Sequence, residues 1–150
     1  MSKLTFSVNG TNKNETRLDV EARQFSIVVD EPAQLNGTDA GANPVEYILA
    51  GYAGCLNVVA HIVAKELGFT IHKLSVEVSG DINPARFLGL SNDERAGFQG
   101  IKVKLDLDSD ADQATIEKWI EVVENRCPVN DNLANPTPVS ISLGQRVSLN

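Results

Sequence analysis

Asn43-Pro44-Val45-Glu46-Tyr47-Ile48-Leu49-Ala50-Gly51-Tyr52-Ala53-Gly54-Cys55 opens the longest apolar stretch of the chain. Asn43 is a residue that caps helices, and Pro44 costs nothing at a first helical position because its missing N–H would be unpaired there anyway. The apolar pattern carries on to about Leu67, and Gly68 is the expected stop. Ile48, Leu49, Tyr52, Ala53, Leu56, Val59, Ile62 and Val63 cover most directions around this helix, so it is expected to be buried on more than one side. A sheet made by so short a chain covers one side only. The other side calls for a second subunit, and Ala50, Gly51, Ala53 and Gly54 would let another helix approach closely; a homodimer follows from the pattern. Val45 to Ala64 is also about the length of a membrane span. It carries Glu46, Asn57 and His61 and has no basic asymmetry at its flanks, so a buried helix of a soluble protein is expected, with no membrane partner.

Around this helix the chain reads mostly as strands. Leu4, Phe6 and Val8 alternate, as do Leu18, Val20 and Ala22, and then Phe25, Ile27 and Val29. Asn9 to Asn14 is a polar turn cluster between the first two runs. After the helix, Leu74-Val76-Val78 and Ile101-Val103-Leu105-Leu107 predict two further strands flanking an irregular Gly80 to Gly97 connection. A second helix, capped by Ser109 or Asp110, places Ile116, Trp119, Ile120 and Val123 on one face and stops at Pro128. Val139 to Leu143 predicts a last strand. The order β-β-β-α-β-β-α-β is an α+β fold with a largely antiparallel sheet, expected as one domain over residues 1–150.

Thirteen basic against twenty acidic residues give a net charge of −7. With no basic cluster, a nucleic-acid partner is not expected. Met1 to Phe6 leads into alternation rather than an apolar block, so no signal peptide is expected. Two cysteines in such a chain suit a reducing compartment, and a cytoplasmic location is expected. Two histidines and two cysteines this scattered predict no metal site, and no cofactor is called for.

Those two cysteines are the candidate chemistry. Cys55 lies mid-helix; Cys127 ends the second helix in Asn125-Arg126-Cys127-Pro128-Val129. Each has an ordinary reading: a buried free cysteine is often just a small hydrophobe, and one at a helix end packs. The block Gly37-Thr38-Asp39-Ala40-Gly41-Ala42-Asn43-Pro44-Val45-Glu46-Tyr47 through Ala53-Gly54-Cys55-Leu56, together with Arg126-Cys127-Pro128-Val129-Asn130, resembles the family of osmotically inducible protein C and organic hydroperoxide resistance protein (OsmC/Ohr). The resemblance extends over essentially the whole chain. It implies an OsmC-like α+β homodimer, with sheets wrapped around central helices. It also implies thiol-dependent reduction of peroxides, preferably organic hydroperoxides, in an oxidative stress response.

In that reading Cys55 is the peroxidatic thiol, Cys127 the resolving thiol, and an external dithiol of lipoyl type the reductant. Only a thiolate attacks peroxide, and a thiol in an apolar helix ionises reluctantly beyond reach of the helix N-terminus. A cation is therefore expected beside it. The family uses an arginine, for which Arg23 is the candidate here and Arg17 the alternative. The best-known organic hydroperoxide resistance proteins have a glutamate directly after Asn-Pro; this chain has Val45 there and Glu46 one place later. That shift rotates a helical side chain by about 100°, and it points to a branch distinct from the best-known one. Glu46 is a first-turn carboxylate favoured by the helix dipole, or a group of the site. Two other functions stay open: a non-catalytic dimer binding a small apolar ligand, and a thiol redox sensor.

Overall fold

Backbone pairing begins where the chain is most polar. In the computed structural model, which describes residues 1–146, β1 is Asn9–Asn12, β2 Leu18–Ala22 and β3 Phe25–Val29, in an antiparallel sheet of order β1-β2-β3. Asn12 faces Leu18, Leu18 faces Val29, and Ala22 faces Phe25. The first strand thus begins at Asn9, after the alternating Leu4, Phe6 and Val8, which are exposed. The turn cluster sits further along than its composition suggests. The Asn14 side chain accepts from the Thr16 and Arg17 amides at 2.9 and 2.7 Å, which closes the reversal at 13–17 and leaves Asn9–Asn12 free to pair. An exposed ladder needs backbone groups only, so polar residues fill it.

The long helix is α1, Pro44–Leu67. Asn43 Oδ1 accepts from the Glu46 amide, and Glu46 Oε2 accepts from the Asn43 amide, both at 2.8 Å; this is a reciprocal capping box. At the far end Gly68, at φ 79°, ends the helix. Its amide donates to Lys65 and that of Phe69 to Ala64, a Schellman arrangement that only glycine enters without strain. Then β4 (Ile71–Asp81) pairs with β5 (Gly100–Ser109). The second helix, α2, is Gln113–Arg126, and its cap is Asp112, which accepts from the Thr115 amide at 2.8 Å. Asp110 and Ser109 are occupied elsewhere: Asp110 accepts from the Thr70 amide at 2.8 Å, and Ser109 from the Ala111 amide at 3.3 Å.

A short helix, α3 (Pro128–Ala134), follows at once. Pro128 both stops α2 and starts α3, in keeping with the preference of proline for a first helical position. Val139 to Leu143 forms no strand among the described residues, and Val139, Ile141 and Leu143 are 82, 96 and 80% exposed. Their alternation is intact; no neighbouring strand meets it among the described residues.

The chain divides into two compact units. The first is built from Met1–Gly54 and Leu74–Asp106, with Val20, Asp30 and Tyr52 buried. Asp30 is a buried carboxylate clasped on every side. It accepts from the Thr16 hydroxyl at 2.7 Å, the Thr38 hydroxyl, the Glu31 amide at 2.7 Å and the Ala40 amide at 3.1 Å. The clasp folds the loop before α1 back on β3 so closely that a Cβ at Gly41 would collide with the Val28 carbonyl. Tyr47 then donates to that same carbonyl at 2.7 Å, tying the first turns of α1 to β3. The second unit comprises Cys55–Lys73 and the chain from Leu107 onward. Its core is one face of α1 (Leu56, Val59, Ala60, Val63, Ala64) against Trp119 and Val123 of α2.

Burial pushes the Asp30 carboxyl up, but the Thr38 and Thr16 hydroxyls and the Glu31 and Ala40 amides outweigh it and hold the group far below the ordinary carboxylate range. A depressed folded-state value gives stability that is present above the unfolded value and lost as the pH falls through the folded one. The urea midpoint of the protein is therefore expected to drop as the pH is lowered below about 4. Asp30→Asn is expected to unfold at lower urea at neutral pH and to show a flatter acid dependence. Equal midpoints for the two proteins at pH 7 would show that the clasp adds nothing.

Candidate functional site

Helical geometry in the second unit brings the two thiols together. Cys55 lies in the middle of α1. Cys127 is the residue between α2 and α3, and its sulfur is fixed by both helices meeting there. The Cys127 thiol donates to Cys55 Sγ at 3.1 Å. Both cysteines are free, so the sulfurs need to close by about 1 Å to reach the ~2.05 Å of a disulfide. Their surroundings differ: Cys55 is partly exposed, whereas Cys127 is 0% exposed.

Two contacts hold this pair in register. The buried Trp119 indole N–H donates to the Ala60 carbonyl at 2.8 Å, and Phe69 meets the same ring edge-on at 6.1 Å between centroids. Arg126 makes a two-pronged pair with Glu66, at 2.5 and 3.2 Å. Roughly 16 Å of helix separates Cys55 from Glu66, yet adjacent residues 126 and 127 reach both. The end of α2 therefore lies alongside the intervening stretch of α1, with the long Arg126 side chain spanning one way and Cys127 set against the other.

Cys127 also caps α3. Its Sγ accepts from the Asn130 amide at 3.4 Å. Burial pushes the Cys127 thiol up, the Asn130 amide pulls against that, and Cys55 alongside adds to the rise. The net effect is a raised Cys127 thiol, with its S–H directed at the other sulfur.

The other residues singled out from the sequence lie in the first unit. Arg23 is the first residue of the tight β2–β3 turn, at φ 55°, and its guanidinium sits 5.0 Å from the Phe25 ring centre. Arg17 Nε closes on Asp19 Oδ1 at 2.8 Å, which raises the arginine and lowers the aspartate. Neither guanidinium is bonded to a thiol among the described residues. Glu46 is engaged in the capping box with Asn43. Among the described residues, no three His, Cys, Asp or Glu side chains gather as a metal cage. Sequence reasoning missed Glu66, Trp119 as an anchor, and the Asn130 amide. Arg126 stood in the quoted cysteine motif, and its position directly before Cys127 was the available signal.

The family model for OsmC-like protein matches residues 37–142. The chain belongs to that family. A hydroperoxide reductase of Mycoplasma pneumoniae is 24% identical over 140 residues, covering 92% of this chain and 93% of the relative. A hydroperoxide reductase of Mycoplasma genitalium is 21% identical over the same shares. Among solved structures, the OsmC-like protein of Mycoplasma pneumoniae superposes with a TM-score of 0.79 at 23% identity, over 90% of this chain and 91% of that one. An organic hydroperoxide resistance protein of Elizabethkingia anophelis reaches 0.66 at 21% identity over 90 and 91%. These likenesses establish the OsmC fold expected from the sequence.

Trp119 is the anchor whose removal separates the effects of bonding and packing. Trp119→Phe keeps most of the ring and loses the bond to Ala60, at an expected cost of about 1 kcal/mol in denaturant unfolding. Trp119→Ala is expected to cost about 3–5 kcal/mol and to slow formation of a Cys55–Cys127 disulfide under a mild oxidant. An unchanged rate of disulfide formation in Trp119→Ala would show that α2 docks without it.

Proposed function

We propose that the chain is a cysteine-based peroxidase that reduces organic hydroperoxides. The 3.1 Å approach of two free thiols, one partly exposed and one buried, is the observation that carries this reading. In the first step the Cys55 thiolate attacks the peroxide O–O bond. The sulfur is oxidised to a sulfenic acid, and the leaving alkoxide takes up a proton to become an alcohol. Cys127 then attacks that sulfur, water departs, and the two thiols are joined as a disulfide. The geometry favours this division of labour: the accessible sulfur meets the substrate, and the buried one already points at it. An external dithiol, of lipoyl type by family resemblance, restores both thiols. The names of the relatives, hydroperoxide reductase and organic hydroperoxide resistance protein, support the same reading.

The cation that favours the Cys55 thiolate is Arg23 or Arg17 in this proposal, released from Phe25 or from Asp19. Glu46 serves in the helix cap; its carboxylate accepts from the Asn43 amide, and its role in α1 is structural first. A second copy of the chain completes the fold. Val58 and Ile62 remain exposed on α1, and the alternating segments Leu4-Phe6-Val8 and Val139-Ile141-Leu143 lie exposed without strand partners among the described residues. Those are the surfaces a homodimer would cover.

Treated with cumene hydroperoxide, the reduced protein is expected to yield a Cys55–Cys127 disulfide by mass spectrometry and to turn over with dihydrolipoamide. Cys127→Ser should stop after one equivalent of peroxide with a sulfenic acid on Cys55, and Cys55→Ser should consume none. Peroxide that leaves both thiols intact sinks the enzyme reading in favour of a ligand-binding protein; a disulfide that no dithiol reopens favours a redox sensor. Light scattering is expected to give twice the 16.2 kDa chain mass, falling toward the single-chain mass in Val58→Asp. A wild-type protein at the single-chain mass would overturn the dimer.

A further inference from the structure

Opening a disulfide has two possible directions. The incoming thiolate strikes one sulfur in line, and the other leaves. This inference rests on the peroxidase reading only for the disulfide itself. Three observations separate the two sulfurs. Cys127 is 0% exposed, and Cys55 is partly exposed. Beyond the Sγ–Sγ contact that the two sulfurs share, the Cys127 Sγ has the Asn130 amide at 3.4 Å, so a further approach to it is filled. The Asn130 side chain in turn donates to the Glu124 carbonyl at 3.1 Å, which ties the amide-bearing turn of α3 to the last turns of α2 before any reaction.

A thiolate accepts a hydrogen bond more strongly than a disulfide sulfur, so an amide already aimed at Cys127 gains strength as that sulfur departs. The need is real, because burial alone pushes the Cys127 thiol up and would otherwise make it a poor leaving group. Cys55, by contrast, is a mid-helix residue whose neighbouring amides are committed to helix bonds. Access and charge stabilisation thus select the same direction.

We propose that the external dithiol attacks Cys55 Sγ, and that Cys127 leaves as a thiolate received by the Asn130 amide. The first thiolate of the reductant bonds to Cys55 Sγ as the Sγ–Sγ bond breaks, and the electron pair goes to Cys127, which then takes a proton. The second thiolate of the reductant attacks its own mixed-disulfide sulfur. It closes the reductant's disulfide and expels Cys55 as a thiolate. The dithiol loses two electrons and two protons, and the protein regains both thiols.

The test begins with the disulfide made by diamide, which involves no peroxide. A brief pulse of 2-mercaptoethanol is quenched with N-ethylmaleimide, and peptides are mapped by mass. The expected product carries mercaptoethanol on Cys55 and maleimide on Cys127. Mercaptoethanol on Cys127, or equally on both, overturns the proposal, as does failure of diamide to form the bridge. A bridge that diamide forms and cumene hydroperoxide does not would count against the peroxidase reading alone, since the direction of opening is still read from the adduct. Asn130→Pro removes the amide at a helix position with no intrahelical acceptor. It is expected to slow opening by dihydrolipoamide roughly tenfold, and an unchanged rate overturns the role given to the amide.

Discussion

The approach of Cys127 to Cys55 depends on the docking of α2 against α1, and the Trp119–Ala60 bond is the fixed point of that docking. A cysteine in the middle of a helix cannot choose its neighbour. Its position is set by the helix axis, and any partner has to be delivered by another element. Here α2 delivers Cys127 from its own end, which is where a chain can change direction most sharply. Placing the second thiol between two helices, rather than inside one, lets it point across at Cys55 while its sulfur also caps α3. One residue thereby ends α2, starts α3 and meets the other thiol.

Much of this was legible from residue types whose chemistry is local. Asn43-Pro44 and Gly68 bound α1 correctly because capping and left-handed backbone are decided within a few residues. The Cys-Pro junction stopped α2 for the same reason. The start of α2 was less legible, since Ser109, Asp110 and Asp112 are all competent caps. The choice among them fell to Asp112 because Asp110 was drawn to the Thr70 amide, forty residues away in sequence. The clasp on Asp30 was illegible for the same cause. Nothing near Asp30 in the chain announces that Thr16 and Thr38 will converge on it.

Glu46 shows how a one-residue displacement changes what a carboxylate does. At the third position of the helix its side chain turns back and meets the Asn43 amide, in the one geometry where an acidic residue and a cap satisfy each other. At the second position the side chain would leave the helix about 100° away and could serve another group. The shift seen in the sequence as a departure from the family pattern therefore has a concrete use in this chain, which is to start α1 firmly.

The expected strands at the two ends of the chain make a different point. Leu4-Phe6-Val8 and Val139-Ile141-Leu143 have the alternation of half-buried strands and lie exposed, with no strand pairing among the described residues. Alternation records that one face is to be buried; it does not record against which chain. A helix completes its own hydrogen bonds, so α1 forms whatever surrounds it. A strand borrows its bonds from a neighbour and exists only where that neighbour is supplied. Segments with strand pattern and no partner within the chain are therefore the natural signature of a sheet finished by a second copy, which is the assembly proposed above. The same second copy would cover Val58 and Ile62 of α1, so one association accounts for the exposed helix face and the unpaired ends together.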